Sequence, residues 1–132
     1  KIENLEEGLK NCDYLSLHIP LTEKTKNMIN YENIKSMKKN AIIINTSRGG
    51  IINEIDLDKA LKSNIIFGAG LDVFEKEPID KNNPLINNKK VLLSPHSATF
   101  TNECKSRMAI ETTKNIIDFF ENTLDKSMIV KT

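Results

Sequence analysis

The sequence has no tryptophan, only two cysteines, and no apolar run near the roughly 20 residues that a bilayer crossing requires. Neither charge dominates: 18 acidic residues face 19 basic ones, and the lysines are scattered among glutamates and asparagines rather than gathered into a stripe. That balance argues against a nucleic-acid partner and against an anionic membrane surface. Cys12 and Cys104 stand far apart with no neighbouring ligand pattern, so neither a metal knuckle nor a disulfide framework is indicated, and reduced structural thiols are expected. The first ten residues, KIENLEEGLK, lack signal-peptide character, which makes a cytoplasmic protein the expectation. Repeats and low-complexity tracts are missing as well, and the length of 132 residues suits one modest domain. The chain starts without methionine inside a helix-like stretch, as a piece of a longer protein would.

Two further scarcities point toward function. Beside seventeen lysines there are only two arginines, Arg48 and Arg107, and only two histidines, His18 and His96. Arginine offers a rigid, permanently charged fork that matches a carboxylate with two parallel hydrogen bonds, which lysine does not. Histidine has the unperturbed pKa closest to neutral and is the usual side chain for moving a proton.

The pattern along the chain alternates strands and helices. Residues 2–10 place Ile2, Leu5 and Leu9 at near-helical spacing. Residues 13–19 alternate and stop at Pro20, as a strand does. Asn30 and Asn53 are placed to cap helices over 31–37, with Ile34 and Met37 inward, and 54–63, with Ile55, Leu57, Ala60 and Leu61 as apolar positions. Between them AIIIN, ending at Asn45, reads as a strand covered on both faces. Residues 65–73 predict another buried strand, in which Gly68 and Gly70 mark close approach by a ligand or another backbone. Residues 75–90 are loop, VLLS at 91–94 is a short strand stopped by Pro95, and a long helix runs from Thr101 to about Thr123. This order implies a parallel α/β sheet of about four strands flanked by helices.

Three strings follow strand ends directly: TSRGG at 46–50, LDVFEKEP at 71–78 and LSPH at 93–96. The carboxyl ends of parallel strands line a ligand crevice, so Arg48, Glu77 and His96 are expected to converge. Taken singly, each has an ordinary explanation. Arg48 fits an exposed loop arginine, but Gly49 and Gly50 let backbone approach a ligand, and Thr46 and Ser47 offer hydroxyls beside the same strand end. Glu77 fits a solvated carboxylate unless it meets His96, whose tautomer it would fix and whose protonated ring it would favour. His96 fits a core histidine satisfied by backbone, although Ser97, Ala98 and Thr99 are small enough for a crowded pocket. His18 either lines a cofactor crevice or caps the sheet. Asp72, inside an apolar strand, needs a donor: a backbone N–H or a bound amide.

With these motifs in order, from CDYLSLHIPLTEKT at 12–25 through MKKNAIIINTSRGGIINEIDLDKAL, GAGLDVFEKEP and VLLSPHSA into the long helix, the chain resembles the nucleotide-binding domain of the D-isomer-specific 2-hydroxyacid dehydrogenases, the family of phosphoglycerate, glycerate and D-lactate dehydrogenases. The resemblance implies a Rossmann-type fold, NAD as cofactor with NADP as the alternative, and a small 2-keto or 2-hydroxy acid as substrate. A homodimer is expected of the full-length protein. By the same resemblance Arg48, Glu77 and His96 are catalytic: Arg48 grips the substrate carboxylate and polarises the keto oxygen, His96 donates a proton to it, and Glu77 orients His96. Asp72 would accept from the nicotinamide carboxamide, Thr46, Ser47, Arg48, His96, Ser97, Ala98 and Thr99 would border the cofactor, and His18, Pro20 and Thr25 would lie on its adenosine side. Ser97-Ala98 stands where many relatives carry two glycines or an isoleucine and a glycine.

The family's G-x-G-x-x-G turn is absent, since glycines at 8, 49, 50, 68 and 70 cannot form it. The expectation is therefore the C-terminal half of a nucleotide-binding domain over 1–100, followed over 101–132 by a long helix and a tail, DKSMIVKT, returning toward a substrate domain. These residues alone are expected to bind dinucleotide weakly and not to turn over. The competing function is a non-catalytic nucleotide-sensing or partner-binding protein on the same fold.

Overall fold

The computed structural model describes residues 4–129. Ile2 and the end of the tail, 130–132, lie outside the described residues. Contacts divide the chain into two compact units, 1–97 and 98–132.

The first unit opens with α1 (Leu5–Asn11), capped by Asn4 and burying Leu9. Four strands follow: β1 (Tyr14–Leu17), β2 (Ile42–Asn45), β3 (Gly68–Leu71) and β4 (Val91–Leu93). They form one all-parallel sheet in the order β1-β2-β3-β4. Two helices cross between them, α2 (Tyr31–Lys35) and α3 (Glu54–Lys62), and a 3-10 turn (Pro84–Asn87) precedes β4.

The helix starts follow from side-chain acceptors for N–H groups that the first turn leaves unpaired. Asn30 Oδ1 accepts from the Asn33 N–H at 3.2 Å, and Asn53 Oδ1 from the Asp56 N–H at 3.0 Å. Residue register then sorts the sheet faces. Ile43 with Ala69, and Asn45 with Leu71, lie on the covered face, where Leu17, Ile34, Leu57, Ala60 and Leu61 complete the core. Each large aliphatic side chain buried there contributes about 2 kcal/mol. The other face carries Tyr14, Ile42, Ile44, Gly70 and Leu92, and it is open: Tyr14 is 70% and Leu92 81% exposed.

Three details differ from the sequence reading. Ile55 is 71% exposed rather than inward, because it stands two positions, or about 200°, from Leu57 on the helix. The third strand starts at Gly68 instead of residue 65, since the Ile65 N–H still closes the end of α3 on the Ala60 carbonyl at 3.0 Å, with Asn64 at φ 56°. In the 75–90 loop, Leu85 is fully buried and anchors an otherwise polar segment beneath α3.

The second unit is dominated by α4 (Asn102–Phe120), whose start is capped by Thr101 Oγ1 accepting from the Cys104 N–H at 3.1 Å. None of its residues is buried; Met108, Ile110, Ile116, Ile117, Phe119 and Phe120 are all exposed. A 3-10 turn follows at Lys126–Met128. Among the described residues no helix is long and apolar enough to cross a membrane, and Cys12 and Cys104 are not bonded to each other.

Candidate active site

The parallel ladder continues past the strand ends and aligns the site. The Asp72 N–H donates to the Asn45 carbonyl at 3.0 Å, the Ser94 N–H to the Leu71 carbonyl at 2.9 Å, and the His96 N–H to the Asp72 carbonyl at 2.8 Å. The groups that follow β2, β3 and β4 are thereby fixed side by side.

After β2, the buried amide of Asn45 shapes the turn that carries Arg48. Its Oδ1 accepts from the Ser47 N–H at 3.0 Å and from Ser47 Oγ at 2.8 Å, while its Nδ2 donates to the Arg48 carbonyl at 2.9 Å. Thr46 and Arg48 are exposed, and Arg48 Nη1 donates to the Ser47 carbonyl at 2.6 Å. Gly49 is a glycine for a reason other than ligand approach: a Cβ there would stand 1.8 Å from the Phe74 carbonyl oxygen, so the β2 loop lies directly against the β3 loop. Gly50 turns the chain at φ 77°.

After β3, Asp72 is buried and its Oδ1 accepts from Ser94 Oγ at 2.5 Å and from the Ser97 N–H at 2.8 Å. Its donors thus include groups of the β4 turn, a backbone N–H among them, and its side chain fixes that turn around His96. His96 adopts φ 51°, in the left-handed region that non-glycine residues seldom occupy.

Glu77 reaches across to the histidine. Its Oε1 accepts from the Phe74 N–H at 3.0 Å and its Oε2 meets His96 Nδ1 at 2.8 Å. Both side chains are partly open to solvent, at 37% for Glu77 and 50% for His96. The His96 hydrogen bond, then the Phe74 N–H, hold the Glu77 carboxyl below its ordinary range against the weaker effect of burial. With a carboxylate on Nδ1, that nitrogen carries a hydrogen and Nε2 becomes the exchangeable end of the ring. A cavity of about 450 Å³ opens beside the pair, lined by Phe74, Glu77, Pro78, Ile79, Pro95 and His96.

A second depression, about 220 Å³, lies at the ends of β2, β3 and β4, between Thr46, Gly70, Asp72 and Ser94. At Gly70 nothing stands within 4 Å of where a Cβ would be, so this part of the depression is open. His18, Pro20, Thr25, Ala98 and Thr99 do not line this depression. His18 Nε2 pairs with Ser16 Oγ at 2.8 Å, and Thr25 Oγ1 donates to the Pro20 carbonyl at 2.7 Å, a turn bonded within itself at the end of β1. Ala98 and Thr99 fall in the second unit, in a turn ahead of α4.

Asn45 is the positioning side chain the sequence reading passed over. Its signal was there: a polar residue at the inward position of an otherwise apolar strand.

A parallel sheet with its polar groups gathered at the carboxyl ends defines the Rossmann-type class of nucleotide-binding α/β domains. Residues 1–98 match the family model described as the NAD binding domain of D-isomer specific 2-hydroxyacid dehydrogenases, and the chain belongs to that family. A glyoxylate reductase of Korarchaeum cryptofilum is 45% identical over 125 residues, which are 95% of this chain and 38% of that protein. Among solved structures, D-lactate dehydrogenase with NAD+ from Lactobacillus jensenii superimposes with a TM-score of 0.83 at 30% identity, covering 98% of this chain and 42% of that one. An acyclic imino acid reductase in complex with NADPH and D-Arg gives 0.84 at 35% identity, covering 92% and 38%. The chain therefore spans about two fifths of the length of the relatives it matches.

Proposed function

We propose that this chain forms the nicotinamide-facing part of an NAD(P)-dependent dehydrogenase that interconverts a small 2-keto acid and its D-2-hydroxy acid. The observation that carries the reading is the 2.8 Å contact between Glu77 Oε2 and His96 Nδ1 at the mouth of a cavity. Arg48, from the loop locked against Phe74, supports it as the cation for the substrate carboxylate.

The strand-end depression and its bare floor at Gly70 fit a nicotinamide ring, with Thr46, Asp72 and Ser94 as its polar border. When bound, the reduced cofactor supplies hydride to the carbonyl carbon. The chain's own residues do the rest. Arg48 binds the carboxylate with its forked donors and draws electron density from the keto oxygen. His96, protonated, gives its Nε2 proton to that oxygen, so that hydride and proton together make the hydroxy acid. Glu77 keeps the ring in the orientation that presents Nε2 and offsets the charge of the imidazolium. Asp72 holds the turn from Ser94 to Ser97 on which His96 rides.

Either nicotinamide dinucleotide suits this reading, since one structural relative carries NAD+ and another NADPH. Glyoxylate heads the substrates to try, followed by hydroxypyruvate and pyruvate. The test is oxidation of NADH by the full-length protein with each acid in turn. His96→Ala is expected to lower kcat about a thousandfold, the loss typical of a general acid. Turnover unaffected by that substitution would end the proposal.

A further inference from the structure

Glu54 is the first residue of α3, where a carboxylate is favoured by the helix dipole. Its two oxygens are nevertheless turned away from its own helix. Oε1 accepts from the Glu75 N–H at 2.7 Å, and Oε2 from Asn83 Nδ2 at 2.5 Å. One side chain thus joins the start of the loop that contains Glu77 to its middle, at Asn83.

The peptide between Phe74 and Glu75 is confined by packing on its carbonyl side and by a hydrogen bond at its N–H. Its carbonyl lies against Gly49, its N–H is bound by Glu54, and the preceding N–H, of Phe74, is bound by Glu77 Oε1. Glu77 places its other oxygen on His96 Nδ1. We propose that Glu54 is a positioning residue for His96, acting through the 74–75 peptide and Glu77. The inference rests on the reading of His96 as proton donor.

Other restraints on this loop are weaker or act elsewhere. The Lys76–Asp80 ion pair, at 3.1 Å, is open to solvent and adds little. Asp58, one turn after Glu54 on the same helix face, is buried and accepts from Asn88 Nδ2 at 2.8 Å and from Lys62 Nζ at 2.7 Å. It anchors the far end of the 75–90 loop and bonds nothing between 74 and 77. Hydrogen bonds to an ionised acceptor are shorter and roughly twice as strong as neutral ones, so Glu54 is the dominant clamp on the near end.

Asp58 is therefore the control that separates positioning from general support. The measurement is the ring ¹⁵N shifts of histidine-labelled protein at a pH where both imidazoles are neutral, which report the tautomer. His96→Gln assigns the signal and His18 serves as internal reference. In the wild type His96 is expected in the Nδ1–H form. Glu54→Ala should move the population toward Nε2–H by about tenfold, as loss of one charge-assisted contact would, and Glu54→Gln, which keeps an acceptor for the Glu75 N–H, should restore it. Asp58→Ala should lower the melting temperature without moving the His96 signal. If Glu54→Ala does not fold, Glu54→Asp, with its oxygens withdrawn by one carbon, must shift the tautomer in the same direction. An unchanged His96 tautomer in a folded Glu54 variant, or an equal shift with Asp58→Ala, overturns the proposal. In the glyoxylate assay Glu54→Ala should lower kcat about tenfold at constant KM. A tautomer response without wild-type turnover would remove the dehydrogenase reading and leave the positioning role intact.

Discussion

The turn after β1 and the loops after β2, β3 and β4 sit at the same edge of one sheet but are built in opposite ways. From Ser16 to Thr25 the polar side chains bond within five residues of themselves: Ser16 to His18, Thr25 to Pro20, Thr22 to Thr25. From Asn45 to Ser97 several bonds join groups about 20 or more residues apart, as with Ser94 and Asp72, Glu77 and His96, and Glu75 and Glu54. A local turn can change without disturbing its neighbours. An interlocked set moves together, and such a set can hold a proton donor within the few tenths of an ångström that proton transfer requires.

Gly49→Ala breaks the interlocked side most severely. The added methyl would overlap the Phe74 carbonyl at 1.8 Å, and backbone on both sides leaves no flexible group to yield. A loss of about 3 kcal/mol is expected by chemical denaturation, together with loss of turnover. Thr25→Val, by the same measurement, removes the exposed bonds of Thr25 Oγ1 to the Pro20 carbonyl and from the Thr22 N–H, and is expected to cost only about 1 kcal/mol and to leave the His96 ring signal where it was. Equal losses from the two would erase the contrast.

A smaller effect comes from pH. Because His96 and the Phe74 N–H depress the Glu77 carboxyl, the folded protein binds fewer protons than the unfolded one between that lowered value and the ordinary 4.5. Stability from Glu77 is accordingly complete above 4.5 and is lost as pH falls through the folded value. The stability gap between wild type and Glu77→Gln should be constant from neutrality down to about 4.5 and close as pH falls from there through the lowered value. A gap that persists in stronger acid would mean that Glu77 acts by shape rather than charge.

The same division decides what the sequence could show. Caps at Asn30 and Asn53, the apolar run of β2, and the breaks at Pro20 and Pro95 are local, and each element they mark is present. The convergence of strand ends was legible because parallel topology dictates it. The partners were not. Asn45 stands out in the sequence as a polar residue at an inward position of an apolar strand, but that its amide meets Ser47 and Arg48 shows only in the fold. Gly49 looks like room for a ligand until Phe74 fills the space, and Glu54 like an ordinary first-turn acid until Glu75 and Asn83 arrive. Ile55 misled because apolar character alone does not set a helix face.

The central claim is that Glu77 works through His96. In NADH oxidation with glyoxylate, the double variant Glu77→Gln/His96→Ala should be no slower than His96→Ala alone, because residues that act as a unit do not lose their effects independently. If the two losses multiply, Glu77 and His96 act separately and the account fails.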